Sequence, residues 1–228
     1  MPQGSKRGKK GSRRAVRYAF YLVTIFIAVM GLVLPMLYAQ GRITASVLSA
    51  DSSIDLSLFF PLIVFSYLLS KGHKLQEIVK GLGLTRDRIS LRAVLVGILL
   101  FGLIELTGIL ISLFSVATGI PLPTNVAYLL SGMPLYFLVF SFLIAPIDEE
   151  VLFRGFLVPR IGIVLSALLF AISHLAYLSV SEFAAAFVFG LLAGYFFKRY
   201  KSLYSTMLAH ALVNFLTIAA IALFIALR

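Results

Sequence analysis

Polar and aromatic residues recur at a helical spacing inside long apolar stretches of this chain. Three pairs are separated by four residues, which places both members of a pair on one face of a helix. The pairs are Glu150 with Arg154, Phe170 with His174, and His210 with Asn214. Ionisable residues within apolar spans are costly and mark a functional site by default.

The stretch IAPIDEEVLFRGF, residues 144–156, contains three of the nine acidic residues in the chain. Arg154 lies one turn after Glu150 and can pair with it, which would keep that carboxylate ionised. Glu149 is rotated by about 100° around the helix and is free to face elsewhere. A carboxylate beside a histidine is a good general base for water, and a second histidine with an amide can stabilise an oxyanion. The set indicates the hydrolysis of an amide.

The same residue types could instead bind a metal ion. Two histidines and one glutamate around an open position are a common catalytic zinc site, and here the ligands would be Glu149, His174 and His210. Both mechanisms fit the residue types. No cysteine is present, which excludes thiolate ligands and a cysteine nucleophile, and no H-E-x-x-H zinc helix occurs.

The elements that carry these residues are predicted to span a membrane. The chain has 228 residues, of which 61% are hydrophobic, and the apolar residues form runs of the length needed to cross a bilayer. Backbone groups in a bilayer must be satisfied internally, so the runs predict an all-α bundle of seven to eight transmembrane helices. The predicted spans are Ala15–Ala39, Ile54–Leu69, Leu91–Ile120, Val126–Ile147, Ile161–Leu178, Phe183–Phe197 and Leu203–Leu227.

If the fourth span ended at Ile147, Glu149 would lie at the edge of the membrane, so different bounds are predicted for this span. The helical pattern continues past Ile147 to Val158, so the span can run from near Pro134 to Val158, leaving residues 126–133 to the preceding connection. At 1.5 Å per residue, Glu149 then lies ~14 Å from the end of its span. The corresponding depths are ~20 Å for His174, ~10 Å for His210 and ~16 Å for Asn214. These polar residues from three helices are thus predicted to meet at similar depth.

The positive charge of the chain is concentrated in alternate connections. All but two of the 20 Lys and Arg residues lie in the N-terminal tail or near the second, fourth and sixth connections. The positive-inside rule then predicts a cytoplasmic N-terminus and a C-terminus outside. Residues 1–14 are predicted to be a disordered basic tail and residues 15–228 a single membrane domain. The net charge of +11 is attributed to anionic lipid rather than nucleic acid.

Three further features are assigned structural roles. Leu75, Ile78 and Val79 predict a short helix on the membrane interface within residues 71–90. The Gly190-x-x-x-Gly194 spacing predicts close helix packing. Glu105, in the third span, is expected to form hydrogen bonds between helices rather than to take part in catalysis.

The three pairs together resemble the CAAX prenyl endopeptidase and bacteriocin-processing family of intramembrane proteases. That family carries Glu-Glu-x-x-x-Arg, Phe-x-x-x-His and His-x-x-x-Asn (or Asp) motifs in this order on separate helices. The chain has them as EEVLFR from residue 149, FAISH from 170 and HALVN from 210. The resemblance extends over about residues 140–216, and we expect the catalytic core at about 134–216.

The resemblance implies an intramembrane endopeptidase with a polar cavity open to the cytoplasm. In its terms, Glu149 and His174 activate water, while His210 and Asn214 support the oxyanion. Arg154 holds Glu150, and Phe170 positions the ring of His174.

The expected substrate is an isoprenylated CAAX-type protein that loses its C-terminal tripeptide, or another membrane-associated peptide. Alternatives are a zinc-dependent or bacteriocin-processing protease of the same family, and a non-enzymatic immunity or transport protein. The expected membrane is the cell membrane in a prokaryote or that of the endoplasmic reticulum in a eukaryote.

Overall fold

The protein was analysed as a computed structural model, which describes residues 18, 21, 22, 25, 29, 33–122 and 124–227. Among these residues every regular element is a helix. The predicted basic tail and most of the predicted first span, Ala15–Ala39, lie outside the described residues. Of that span, residues 33–39 are continuously described and helical.

Nine α-helices from residue 45 onward form the bundle, and we number them in chain order. They are α1 Ala45–Ser70, α2 Leu75–Gly81, α3 Leu91–Thr118, α4 Thr124–Ser131, α5 Leu135–Leu143, α6 Ala145–Glu150, α7 Val158–Ser173, α8 Val180–Tyr200 and α9 Leu203–Ala226. A π-helix over Val151–Leu157 joins α6 to α7, and short 3₁₀ turns occupy Arg86–Arg88 and Leu175–Tyr177.

Five helical stretches of the described chain are long and apolar enough to cross a membrane. They are Ala45–Ser70, Leu91–Thr118, Leu135–Tyr177, Val180–Tyr200 and Leu203–Ala226. Their outward faces carry exposed apolar side chains such as Leu95, Leu113 and Val164, which fit a lipid surface rather than water. The chain is therefore an all-helical integral membrane protein, and the count of seven to eight spans stays a prediction.

The longest of these stretches, Leu135–Tyr177, folds back on itself at Gly162. This glycine has φ 85° and ψ 171°, a conformation that interrupts the helix and that glycine adopts readily. Ser166 Oγ donates a hydrogen bond of 2.6 Å to the carbonyl of Phe153, although 13 residues separate them. On a straight helix these residues would be about 20 Å apart. The stretch is thus a helical hairpin, one arm ending at Ile161 and the other beginning at Ile163.

The hairpin confirms that the two glutamates lie within a helix and not at its end. α5 begins at Leu135 after Pro134, and helical structure continues through α6 and the π-helix to residue 161. Residues 126–133 precede this span, and most of them form the short α4. The bounds predicted for the second span were wrong, because α1 begins at Ala45, where Thr44 Oγ1 accepts a hydrogen bond from the amide of Val47.

Glycines allow the helices that carry the site to approach one another closely. A Cβ added at Gly190 of α8 would lie 2.7 Å from the Cα and Cβ of Ala167 on α7. A Cβ added at Gly194 would lie 2.9 Å from Cγ2 of Ile163. The predicted packing role of this glycine pair is confirmed. Gly97 of α3 approaches α9 in the same way, where an added Cβ would lie 2.9 Å from the carbonyl oxygen of Ser205.

The predicted interfacial helix is also present, as α2. Lys74 at its N-terminus donates its backbone N–H to Glu77 Oε2 at 2.9 Å. Ile78 is buried while Leu75 and Lys80 are exposed, so the helix presents one apolar face to the bundle.

Candidate active site

A fully buried ion pair lies at the centre of the bundle. Glu150 and Arg154 lie on successive turns, with 3.0 Å between Glu150 Oε1 and Arg154 Nη1, and their side chains are 0% and 1% exposed. A buried charge is strongly destabilising unless it is paired. The predicted pairing is therefore confirmed, and each residue supplies the charge that the other needs.

Aromatic rings complete the surroundings of the Arg154 guanidinium. Its central carbon lies 4.2 Å from the ring centre of Phe170 and 4.8 Å from that of Phe189. Among the described residues, neither Nη1 nor Nη2 makes a hydrogen bond of good geometry, so ring contacts and the charge of the nearby Glu150 carboxylate hold the guanidinium in place. Phe170 and Phe189 also stack on each other, at 5.3 Å and an interplanar angle of 24°. These rings connect the helices that carry the three motifs.

His210 lies between the two adjacent glutamates. Its Nδ1 is 3.0 Å from Glu150 Oε1, and because a carboxylate can only accept, Nδ1 carries the hydrogen. Its Nε2 faces the other way and lies 3.7 Å from Glu149 Oε2. The buried Glu150 thus fixes the orientation of the imidazole, and the ring presents Nε2 to Glu149.

Glu149 is the carboxylate that remains available for chemistry. Its side chain is 19% exposed and lines a cavity, although Oε2 itself is buried and has no hydrogen-bond partner in the described chain. Glu150, one residue later, is fully buried, and its Oε1 lies 3.0 Å from both Arg154 and His210. Two neighbouring glutamates therefore have different surroundings: one is held by fixed partners and the other faces a cavity.

His174 is held at the end of α7, where the helix gives way to a 3₁₀ turn. Its Nδ1 lies 2.9 Å from the carbonyl oxygen of Phe170, which can only accept, so Nδ1 again carries the hydrogen. The lone pair of the neutral ring is then on Nε2. The ring centre lies 4.6 Å from that of Phe170, which confirms the predicted contact between them. The histidine within 4.0 Å of Glu149 in the described residues is His210, not His174.

Asn214 connects the third motif to the helix that leads into the first. Its Nδ2 donates a hydrogen bond of 2.7 Å to the carbonyl oxygen of Ser141 on α5. An amide nitrogen has two hydrogens, so one N–H of Asn214 is used structurally and the other is available to a ligand.

The four residues predicted to be catalytic line one cavity of about 390 Å³. Glu149, His174, His210 and Asn214 contribute to its wall, together with apolar residues such as Ile104, Phe140 and Val213. The wall combines polar and apolar side chains in similar proportion, and a cavity of this size can hold a small molecule or a short peptide.

The cavity occupies the part of the bundle away from the basic connections. It extends from His210 along α9 to Ile218 and reaches Ser181, near the start of α8. Ser181 is about 28 Å along α8 from Tyr200, where the basic connection begins. The positive-inside rule predicts that this basic end is cytoplasmic. That rule and the cavity open to the cytoplasm that the resemblance implies therefore predict opposite orientations for the described bundle.

Two acidic residues of the cavity were assigned no catalytic role from the sequence. Glu105 lines the wall but makes no hydrogen bond to any described residue, so the structure does not support its predicted interhelical bonding. Glu182 also lines the cavity, as His174 does. The sixth span was predicted to start at Phe183, which left Glu182 outside it. The Ser-x-x-Glu pattern from Ser179 is a helix-start signal that would have included it.

The three predicted zinc ligands, Glu149, His174 and His210, do not converge on one point in the described chain. Glu149 and His210 approach each other, but no group of three His, Asp or Glu residues in the described chain is arranged to hold one ion. The Nδ1 atoms of both histidines are directed at protein oxygens, which leaves Nε2 as the available atom of each. Because the three side chains do not form a ligand set, we derive no step through a metal.

One family model matches the part of the chain that carries these residues. Residues 131–216 match the family of type II CAAX prenyl endopeptidases described as Rce1-like. The matched segment contains all three motifs and the whole hairpin. It confirms the resemblance and supports a membrane-embedded protease of the CAAX type. No curated protein and no solved structure matches the chain.

Proposed function

We propose that the protein is an intramembrane endopeptidase in which Glu149 activates a water molecule. The observation that carries this proposal is the difference between the adjacent glutamates. Glu150 is fully buried, with its Oε1 shared by Arg154 and His210, whereas Glu149 lines the cavity, is 19% exposed and has its Oε2 3.7 Å from Nε2 of His210. A carboxylate that is positioned but not occupied is what a general base requires.

The reaction can be written on these side chains. Glu149 takes a proton from water, and the water oxygen attacks the carbonyl carbon of the scissile peptide bond. The carbonyl oxygen becomes an oxyanion, which accepts hydrogen bonds from the free N–H of Asn214 and from His210 when its Nε2 carries a hydrogen. Glu149 then returns the proton to the leaving nitrogen, the C–N bond breaks, and an acid and an amine are released. Nε2 of His174, as an acceptor, would help to orient the water.

The proposed substrate is an isoprenylated CAAX-type protein that loses its last three residues. The family match supports this class, and the cavity has polar groups for a peptide beside apolar residues such as Ile104, Phe140 and Val213 that could contact a lipid. The alternative zinc-dependent mechanism would require Glu149, His174 and His210 to move together around one ion, and it is distinguished by the sensitivity of cleavage to a chelator.

The test is cleavage of a farnesylated CAAX peptide, and of its unprenylated counterpart, by purified protein in detergent. We expect Glu149→Ala to reduce the rate by at least about 10²- to 10⁴-fold, the range for loss of a general base. The matched control is Glu77→Ala, which removes an exposed glutamate on α2, and we expect it to retain the rate.

A parallel reaction with a chelator decides between the two mechanisms. Full cleavage in its presence supports the metal-free route, and loss that added zinc restores would replace it. Cleavage by Glu149→Ala at the normal rate would contradict the role of Glu149 in either route.

The side from which substrate enters can be measured because the chain has no cysteine. Leu122→Cys places a single thiol at the end of the bundle near the cavity, and Lys74→Cys places one at the basic end. Following the positive-inside rule, we expect a membrane-impermeant maleimide to label Leu122→Cys in intact cells and Lys74→Cys only after permeabilisation. The reverse pattern would show that the cavity faces the cytoplasm and that the charge rule fails here.

A further inference from the structure

A second cavity, of about 370 Å³, lies at the opposite end of the bundle from the proposed active site. It is formed where the connection into α3 meets the connection between α8 and α9. We call it the basic cleft. Four cations and one carboxylate line it: Arg88, Arg92, Arg199, Lys201 and Asp87. None of its lining residues belongs to the three motifs.

The positive charge of the basic cleft is largely uncompensated. Asp87 lies 3.5 Å from Nε of Arg88, and both side chains are exposed. Arg92 and Arg199 each lie 5.6 Å from the ring centre of Tyr200. Neither of them, nor Lys201, is within 4.0 Å of a described carboxylate. The cleft therefore offers three cations that are not neutralised by the described protein.

The start of α9 adds a helix N-terminus to the same place. Ser202 is the N-cap residue of α9, but its side chain accepts no hydrogen bond from the first turn. Its Oγ is instead 3.5 Å from the carbonyl oxygen of Arg88. The first N–H groups of a helix have no partner within the helix, and together with the helix dipole they favour an anion. At the start of α3, by contrast, Ser90 accepts from the amide of Ala93.

Ser205 gives independent evidence for a ligand. It lies in the first turn of α9 and lines the basic cleft, yet its side chain is nearly inaccessible, with only 1% of the residue exposed. Its Oγ has no hydrogen-bond partner in the described chain. A buried hydroxyl without a partner is unusual, because an unmade hydrogen bond costs about 1–3 kcal/mol. A ligand that accepts a hydrogen bond in the cleft would satisfy it.

We propose that the basic cleft binds a phosphate group, with the headgroup of an anionic phospholipid as its natural source. Phosphate oxygens can accept from arginine, from lysine, from the amides at the start of α9 and from the Ser205 hydroxyl. The lipid source follows from the surroundings, since exposed apolar residues such as Leu91 and Leu95 on α3 lie beside the cleft, where acyl chains would run. The proposal does not depend on the proposed peptidase activity.

The test compares three probes on purified protein in a neutral detergent. They are dioleoylphosphatidylglycerol, dioleoylphosphatidylcholine and inorganic phosphate. Native mass spectrometry counts bound lipid, and thermal unfolding in detergent measures stabilisation by each probe. We expect one phosphatidylglycerol to be retained more strongly than phosphatidylcholine. If inorganic phosphate stabilises the protein by itself and also competes with the lipid, the phosphate site is supported and its source is a soluble phosphate.

Paired variants locate the binding. Arg92→Gln with Lys201→Gln removes two cations of the cleft, and Arg86→Gln with Lys198→Gln removes two exposed cations that do not line it. Both pairs change the net charge equally. We expect phosphatidylglycerol affinity to fall about tenfold or more in the first pair and less than about twofold in the second. Equal losses in the two pairs would overturn the proposal, because they would mean that only overall charge matters.

Ser205→Ala tests the same site without changing charge. Since the hydroxyl has no partner in the described protein, its removal is expected to leave the unfolding midpoint without lipid unchanged or slightly higher. Affinity for phosphatidylglycerol should fall about threefold to tenfold, the effect of one lost hydrogen bond. If Ser205→Ala binds the lipid as well as the wild type does, the hydroxyl does not face the ligand and the proposed site is wrong.

Discussion

Each end of the bundle contains a pair of oppositely charged side chains, and one pair is buried while the other is exposed. In the half with the candidate active-site cavity, Glu150 and Arg154 are 3.0 Å apart with side chains 0% and 1% exposed. At the basic end, Lys74 and Glu77 are 3.7 Å apart, and both are about half exposed. The first pair is part of the machinery that orients His210. The second is a solvated pair at the start of α2. The distance between two charges therefore does not show how much a pair contributes to stability, and burial distinguishes the two pairs.

The sharpest test of this difference removes one partner from each pair. Arg154→Met leaves Glu150 buried without a compensating charge, which we expect to lower the free energy of unfolding by about 3–5 kcal/mol. Lys74→Met should lower it by less than about 1 kcal/mol, because exposed pairs contribute little. Unfolding in mixed micelles by titration with a denaturing detergent measures both.

A double variant separates loss of charge balance from loss of packing. Glu150→Gln with Arg154→Met removes both charges while keeping an acceptor for His210, and it should recover most of the stability lost in Arg154→Met. If the double variant is no more stable than the single one, the contact of Arg154 with the rings of Phe170 and Phe189 is the main contribution, and the ion pair is secondary.

The next prediction concerns the close contact between α7 and α8 in the half of the bundle that contains the cavity. Gly190→Ala would place a Cβ 2.7 Å from the Cα of Ala167, so α7 and α8 would have to separate. We expect a loss of about 1–3 kcal/mol, the usual cost of overpacking. Gly102→Ala is the matched control, because a Cβ at that helical position meets nothing within 4 Å. Equal unfolding free energies for the two variants would show that the helices can adjust without cost.

The smallest effect concerns the single carboxylate of the basic cleft. A hydrogen bond from Thr85 lowers the pKa of Asp87 below its ordinary value, so this group stays ionised as the pH falls through the usual range for aspartate. Asp87→Asn removes the negative charge and should strengthen phosphatidylglycerol binding about threefold. Because the pKa of Asp87 is lowered, the wild type should bind phosphatidylglycerol more tightly on acidification only at pH values below the usual pKa range of aspartate. A variant that binds less tightly would indicate that Asp87 positions Arg88.

The sequence predicts well which helices carry the site, and it predicts less well which side chains from different helices contact one another. Pro134 and the continued apolar pattern to Val158 place Glu149 and Glu150 inside a span, and the hairpin confirms this. Helical spacing also predicts the pair of Glu150 with Arg154 and the contact of Phe170 with His174. These are local relationships, determined by 3.6 residues per turn.

What the sequence does not reveal depends on how distant segments meet. The placement of His210 beside Glu149 and Glu150 follows from packing of α9 against α6, which no spacing within one helix encodes. The position of the cavity relative to the basic end depends on how all the helices are arranged. The partnerless hydroxyl of Ser205 becomes evident only once burial and hydrogen bonding are known. Gly162 could be identified as a turn, but only the bond between Ser166 and Phe153 shows how tightly the arms meet.

The hairpin at Gly162 also determines the order in which the site can be assembled during synthesis. Its two arms carry the first two motifs and adjoin in sequence, so the rings of Phe153 and Phe170 can meet, at 5.1 Å, before the later helices are made. His210 and Asn214 arrive only with the last helix of the described chain. Until then Glu150 has Arg154 but no imidazole to orient. A chain shortened before Leu203 would keep the hairpin and lack the groups that complete the site.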